Sequence, residues 1–144
     1  MTARHRMPTQ LTAVVIRRGK VLLARRVHDQ RWELPGGHAD LDVVHAPEEL
    51  SRLVRYATGQ AVRVGPEVHD LEIRDDGVAP VQLLAFGCHL QGRLPLQLSE
   101  KYHQVAWLPV DTLPVQNLAA GYVDAIQAWQ RHPDQHGGDR TDFG

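Results

Sequence analysis

Residues 47–59, PEELSRLVRYATG, hold a full set of helix signals in the middle of a chain whose neighbouring apolar runs are short and β-branched. Pro47 supplies the preset φ of a first helical residue. Glu48 and Glu49 place negative charge at the positive end of the helix dipole, and Gly59 suits the left-handed conformation that closes a helix. Leu50, Leu53, Val54 and Ala57 recur at i, i+3, i+4 and i+7, so one stripe seeks a core. The spacing predicts a helix over 47–58, with Arg52, Arg55 and Tyr56 pointing elsewhere. A helix of this length is marginal alone in water, so the flanking segments must supply its partner.

Those segments read as strands. Runs 11–16 and 21–27 are joined by Arg17-Arg18-Gly19-Lys20, a hairpin signal. Glu33-Leu34 is a short strand, stopped by Pro35 and by Gly36-Gly37, read as a turn with φ > 0, before a loop over 38–46. Segments 61–73, broken at Gly65-Pro66, and 80–90 form two longer strands around an Asp75-Asp76-Gly77 turn. A strand over 104–108 and a turn over 109–114 lead to a second helix over 118–129, marked by Leu118, Tyr122, Ala125, Ile126 and Trp129. The expected class is α/β in the α+β sense, a mixed sheet between helices, not a regular βαβ alternation.

A chain of 144 residues with 42% apolar side chains suits one domain over 1–144. Its ordered core is expected over about 9–131, with a flexible N-terminal arm and a mobile tail over 132–144. A net charge of -1 gives no global field for nucleic acid. Cys88 stands alone in an apolar run, so it reads as a buried small residue in a reducing compartment. The first ten residues lack the apolar stretch of a secretory signal, and no run of about 18 apolar residues occurs. A cytoplasmic protein without a membrane partner is expected.

The segments VLLARR and WELPGG, with the late stretch SEKYHQVAWLPVDTLPVQNLAAGYVDAI, resemble the Nudix hydrolases over roughly residues 11–129. The resemblance implies a Nudix-type (MutT-like) mixed sheet sandwiched between helices, and cleavage of a pyrophosphate linkage in nucleoside diphosphates joined to another group. It implies Mg²⁺ or Mn²⁺ held by glutamates of a box written G-x5-E-x7-R-E-U-x-E-E-x-G-U, with U apolar. Carboxylates three and four residues apart share a helix face and can hold one ion cluster.

This chain departs from the box at every such position. Counting back from Gly59, the helix glutamates fall on Leu53, Tyr56 and Ala57, after Arg52. Counting forward from Gly37, they fall on Arg52, Arg55 and Tyr56, with the earlier glutamate on Val43. The spacing is one residue longer than the motif, and residues 50–66 contain no Asp or Glu. Arginines where a dication should sit oppose it by like charge.

Other residues remain candidates. His38, Asp40, Asp42 and His45 could form a mixed nitrogen and oxygen metal set or a plain polar loop. Glu48 and Glu49 read as first-turn acids, with relocated metal ligation as the alternative. The resemblance gives Glu100 a role as base or metal ligand, against a surface acid. It also turns arginines near Arg25, Arg26 and Arg31 towards a diphosphate, although alternation can direct only one of Arg25 and Arg26 there. Trp32 and Trp107 read as core or site walls, and Tyr56 as a platform for a base. Nucleophilic catalysis has no support, since no Ser-His-Asp pattern appears and Cys88 has no base beside it.

The expectation is therefore a Nudix-family protein with hydrolysis weak or lost. A nucleotide-diphosphate-type ligand would be held by Arg26, Arg31, Gly36, Gly37, Arg52, Arg55 and Tyr56, and no metal would occupy the usual positions. An active divergent hydrolase using Mg²⁺ or Mn²⁺ on Asp40, Asp42, Glu48, Glu49 or Glu100 is one alternative. A non-catalytic protein-interaction module is another, and a homodimer stays open.

Overall fold

The computed structural model describes residues 8–73 and 80–135. Strands β1 (Thr9–Arg17), β2 (Lys20–Arg26), β3 (Trp32–Glu33) and β4 (Gly36–Ala39) precede helix α1 (Ala46–Thr58). Strands β5 (Val62–Ile73), β6 (Val81–Leu90) and β7 (Tyr102–Pro109) follow, and helix α2 (Ala120–Arg131) comes last. The main path of the sheet runs β3-β2-β1-β6-β5, with β4 on β1 and β7 on β2. Only the β1–β6 pair is parallel among these described strand pairs.

Arg18 and Gly19 have φ of 53° and 76°, so a two-residue turn whose twist matches the strands closes the β1–β2 hairpin. Leu11, Ala13 and Val15 of β1 join Leu22, Leu50 and Val54 in one core, while Val14 joins Val21, Leu23 and residues of α2 in another. This period-2 split puts α1 and α2 on opposite faces of the sheet. Each fully buried Leu or Val contributes roughly 1.5–3 kcal/mol.

The helix expected over 47–58 forms, and Gly59 closes it in the left-handed conformation, donating its N–H to the Arg55 carbonyl. Leu50, Val54 and Ala57 are buried as the stripe requires. Gly36 and Gly37 are not a turn, however. They lie in β4 paired with Thr12 and Leu11, because a Cβ on Gly36 would stand 1.9 Å from the Leu11 carbonyl oxygen. The small residue permits close strand approach rather than a reversal.

Gly65-Pro66 does not break β5 either. The pairing with β6 shifts between Val64 and Glu67, so Pro66, which has no N–H to donate, is absorbed in a bulge. The turn expected over 109–114 is made by two 3-10 turns, Val110–Thr112 and Val115–Asn117. Leu118, expected to begin α2, instead bridges Trp32. Residues 132–135, counted with the mobile tail in the sequence reading, are packed: the Asp134 carbonyl meets His89 Nε2 at 2.9 Å and Gln135 is buried. The Asp75-Asp76-Gly77 turn lies outside the described residues. Among the described residues no helix is long and apolar enough to cross a membrane.

Candidate functional site

On α1 the outward and inward residues have separate roles. Arg52 donates from Nε to Glu49 at 3.0 Å, and this hydrogen bond holds the Glu49 carboxyl below its ordinary range. Arg55 and Tyr56 are exposed. Leu53 points to Gly37, where an added Cβ would meet its Cδ2 at 3.2 Å. Ala57 packs with Ala24 of β2 and Tyr102 of β7. The helix positions where a Nudix glutamate is expected are thus two exposed guanidiniums, an exposed ring and two packed apolar groups.

The loop before α1 is organised by its own turns. Asp40 accepts from the Asp42 backbone N–H at 3.0 Å, and its carbonyl accepts from Val43 and Val44. Glu48 meets His45 Nδ1 at 2.9 Å, with both side chains exposed. His38 is exposed in β4, and Glu100 is exposed in the turn before β7. Among the described residues, no three His, Cys, Asp or Glu side chains come close enough to hold a metal ion. The relocated metal set is therefore not brought together.

A carboxylate does stand beside α1, and it comes from β3. Glu33 is 2% exposed, and the other buried polar side chains among the described residues carry no charge. Its register partner is Ala24, so it lies on the side where Ala57 and Tyr102 pack. Tyr102 donates its hydroxyl to Glu33 Oε2. Arg26 Nη1 donates to Oε1 at 3.4 Å, and Lys101 Nζ stands 3.6 Å from Oε2. Burial first, and then the charge of Glu33, push the Tyr102 hydroxyl far above the ordinary range of a phenol. Burial would lower the Arg26 guanidinium, yet Asp29 and Glu33 together hold it above its ordinary value.

The other expected ligand residues are placed as follows. Arg26, expected to face a diphosphate, is engaged with Asp29 and Glu33. Arg25 donates to the Gln30 carbonyl at 2.8 Å and lies 5.8 Å over the Trp32 ring. Arg31 is exposed at the entrance to β3. Gly36 and Gly37 are buried, Gly36 against the Leu11 backbone and Gly37 against the Leu53 side chain. Trp32 is a core wall, whereas Trp107 is only partly buried. Burial pushes the Cys88 thiol up to about 12, which leaves it inert as a nucleophile.

The grouping of Glu33 with Lys101 and Tyr102 is not among the expectations from the sequence. One signal was available: an acid between Trp32 and Leu34 in a strand must face away from both. A dication does not fit at Glu33, because Arg26 and Lys101 already occupy its oxygens and would repel it. On the α2 side, Leu71, Ile73, Leu83, Ala119, Gly121 and Tyr122 line an apolar cavity of about 200 Å³.

Residues 7–129 match the model of the NUDIX domain. No curated protein matches the chain significantly in sequence. Among solved structures, a MutT NUDIX hydrolase from Burkholderia pseudomallei is 21% identical, with TM-score 0.72, over 85% of this chain and 98% of its own. An ADP-ribose pyrophosphatase from Streptococcus suis is 20% identical, with TM-score 0.71, over 89% and 95%. An Ap4A hydrolase from C. elegans is 15% identical, with TM-score 0.73, over 86% and 96%. At these identities the likeness establishes the fold and not the substrate.

Proposed function

Because the chain belongs to the NUDIX family, we propose that it is a member which binds a nucleoside-diphosphate-type ligand and has lost metal-dependent hydrolysis. The observation that carries this reading is the face of α1. Arg52 and Tyr56 sit one turn apart on one flank, Leu53 and Ala57 are turned to the protein, and the two first-turn acids are paired, Glu49 to Arg52 and Glu48 to His45. Family members generally use Mg²⁺ or Mn²⁺, but among the described residues that face offers a dication no oxygen cluster. Guanidinium groups can bind phosphate oxygens without a metal. That its structural neighbours include an ADP-ribose pyrophosphatase and an Ap4A hydrolase supports the ligand class.

The test is a panel of nucleoside diphosphate sugars, dinucleoside polyphosphates and nucleoside triphosphates with Mg²⁺ or Mn²⁺, read for phosphate release and by calorimetry. The expected result is binding that ignores chelator and weakens on Arg52→Ala, without turnover. Turnover abolished by Asp42→Asn or Glu100→Gln would replace this reading with an active hydrolase. Silence across the panel would replace it with a protein-interaction role.

A further inference from the structure

We infer that the anion-binding centre of this site is a fixed cation pair, Arg26 and Lys101 held on the buried Glu33, which takes a diphosphate group where the family uses metal-bound carboxylates. The inference rests on the ligand-binding reading above and names the part of the site that holds the phosphates.

Position supports it. Ala57, where counting from Gly59 places a family glutamate, packs against Tyr102, and Tyr102 donates directly to Glu33. The cluster therefore fills the ground between α1, β2 and β7. The carboxylate supplied there is inverted in role, since it binds two cations instead of a dication.

Preorganisation supports it as well. A free lysine or arginine loses up to roughly 2 kcal/mol of rotamer freedom when it is fixed on a ligand. Glu33 fixes both cations in advance, from an anchor whose side chain is 3% exposed, while the Arg26 and Lys101 side chains stay 28% and 44% exposed. Arg26 commits Nε and Nη2 to Asp29 and Nη1 to Glu33. Of the five N–H groups of a guanidinium that leaves two, and Lys101 keeps donors of its ammonium beyond the one aimed at Glu33. Around the cluster, Arg25, Arg26, Arg31 and Lys101 outnumber Asp29, Glu33 and Glu100. The local balance suits an anion and opposes a metal ion.

The experiment is calorimetric titration of inorganic pyrophosphate into the full chain with chelator present. Wild-type protein should bind. Lys101→Ala should weaken binding at least about tenfold through loss of a charge-assisted contact, and Lys101→Arg should retain it within a few-fold. Lys101→Met, which keeps a long unbranched apolar side chain without the charge, should behave like the alanine variant and excludes lost packing as the cause. The affinity of the Lys101→Ala protein should also depend less steeply on salt. Absence of pyrophosphate binding in the wild type, binding that requires Mg²⁺, or unchanged binding in Lys101→Ala would each overturn the inference.

A parallel titration with ADP-ribose separates the two claims. ADP-ribose held equally by wild type and Lys101→Ala, but weakened by Arg52→Ala, removes the cation pair and leaves the ligand reading. Pyrophosphate held through Lys101, with no nucleotide of the panel bound, removes the ligand reading and leaves the pair.

Discussion

The two helices cover opposite faces of one sheet, yet they use burial differently. On the α2 face, Trp129 is fully buried over Gly87, where an added Cβ would stand 2.2 Å from its ring, and Leu83, Ala125 and Ile126 complete an apolar layer. On the α1 face, Leu50 and Val54 form a comparable layer, but the end near Ala57 gives way to Tyr102 and the charged Glu33 cluster. A protein interior accepts a charge only when it is paired and hydrogen-bonded. The α2 face thus maximises contact, while the α1 face spends part of its burial on an acid that holds cations in place.

That contrast can be broken most forcefully on the α2 side. Trp129→Ala should cost roughly 3–5 kcal/mol in denaturant unfolding, since it empties the largest fully buried side chain. A loss below about 1 kcal/mol would mean that the face is not a packed core. On the α1 side, Glu33→Ala should cost less, roughly 1–3 kcal/mol, chiefly by stranding the Tyr102 hydroxyl. Arg26 and Lys101 are partly exposed, so water offsets the loss of their partner.

A pH titration sharpens the same point. Tyrosines of the unfolded chain ionise near about 10, whereas Tyr102 in the folded protein ionises well above that. The folded state then keeps a proton that the unfolded state releases, so stability should fall as pH rises past about 10. Tyr102→Phe should flatten that fall in melts recorded between about pH 9 and 11. The flattening is incomplete, because burial also raises the Tyr122 hydroxyl. An unchanged slope would show that Tyr102 is not buried against Glu33. The smallest effect belongs to the exposed flank: Tyr56→Ala should change stability by no more than about 0.5 kcal/mol, because its ring is 62% exposed.

Much of the fold was legible from local patterns. The α1 stripe, its proline and its closing glycine were all readable, since each acts within one or two turns. Gly36-Gly37 reads locally as a turn because glycine marks both tight reversals and close strand approach, and only the Leu11 carbonyl decides between them. The bulge at Gly65-Pro66 has the same origin, since β6 supplies the continuity that the local sequence denies. The absence of acids over residues 50–66 is visible in the residues alone, but the engagement of Arg26 with Asp29 and Glu33 is not.

By itself the sequence determined the amphipathic α1, the hairpin of β1 and β2, and the lack of any carboxylate on α1 beyond its first turn, because periodicity, turn chemistry and residue identity are local properties. Only the tertiary structure decided that a carboxylate of β3, Glu33, is buried on Tyr102, which packs against Ala57 of α1. Tyr102 and Glu33 are 69 residues apart in the chain. They meet because β7 pairs with β2 and β2 with β3, placing Tyr102 opposite Arg26 and Glu33 opposite Ala24. Burial of that acid, and the cations that neutralise it, are consequences of sheet register, a long-range property that no window along the chain contains.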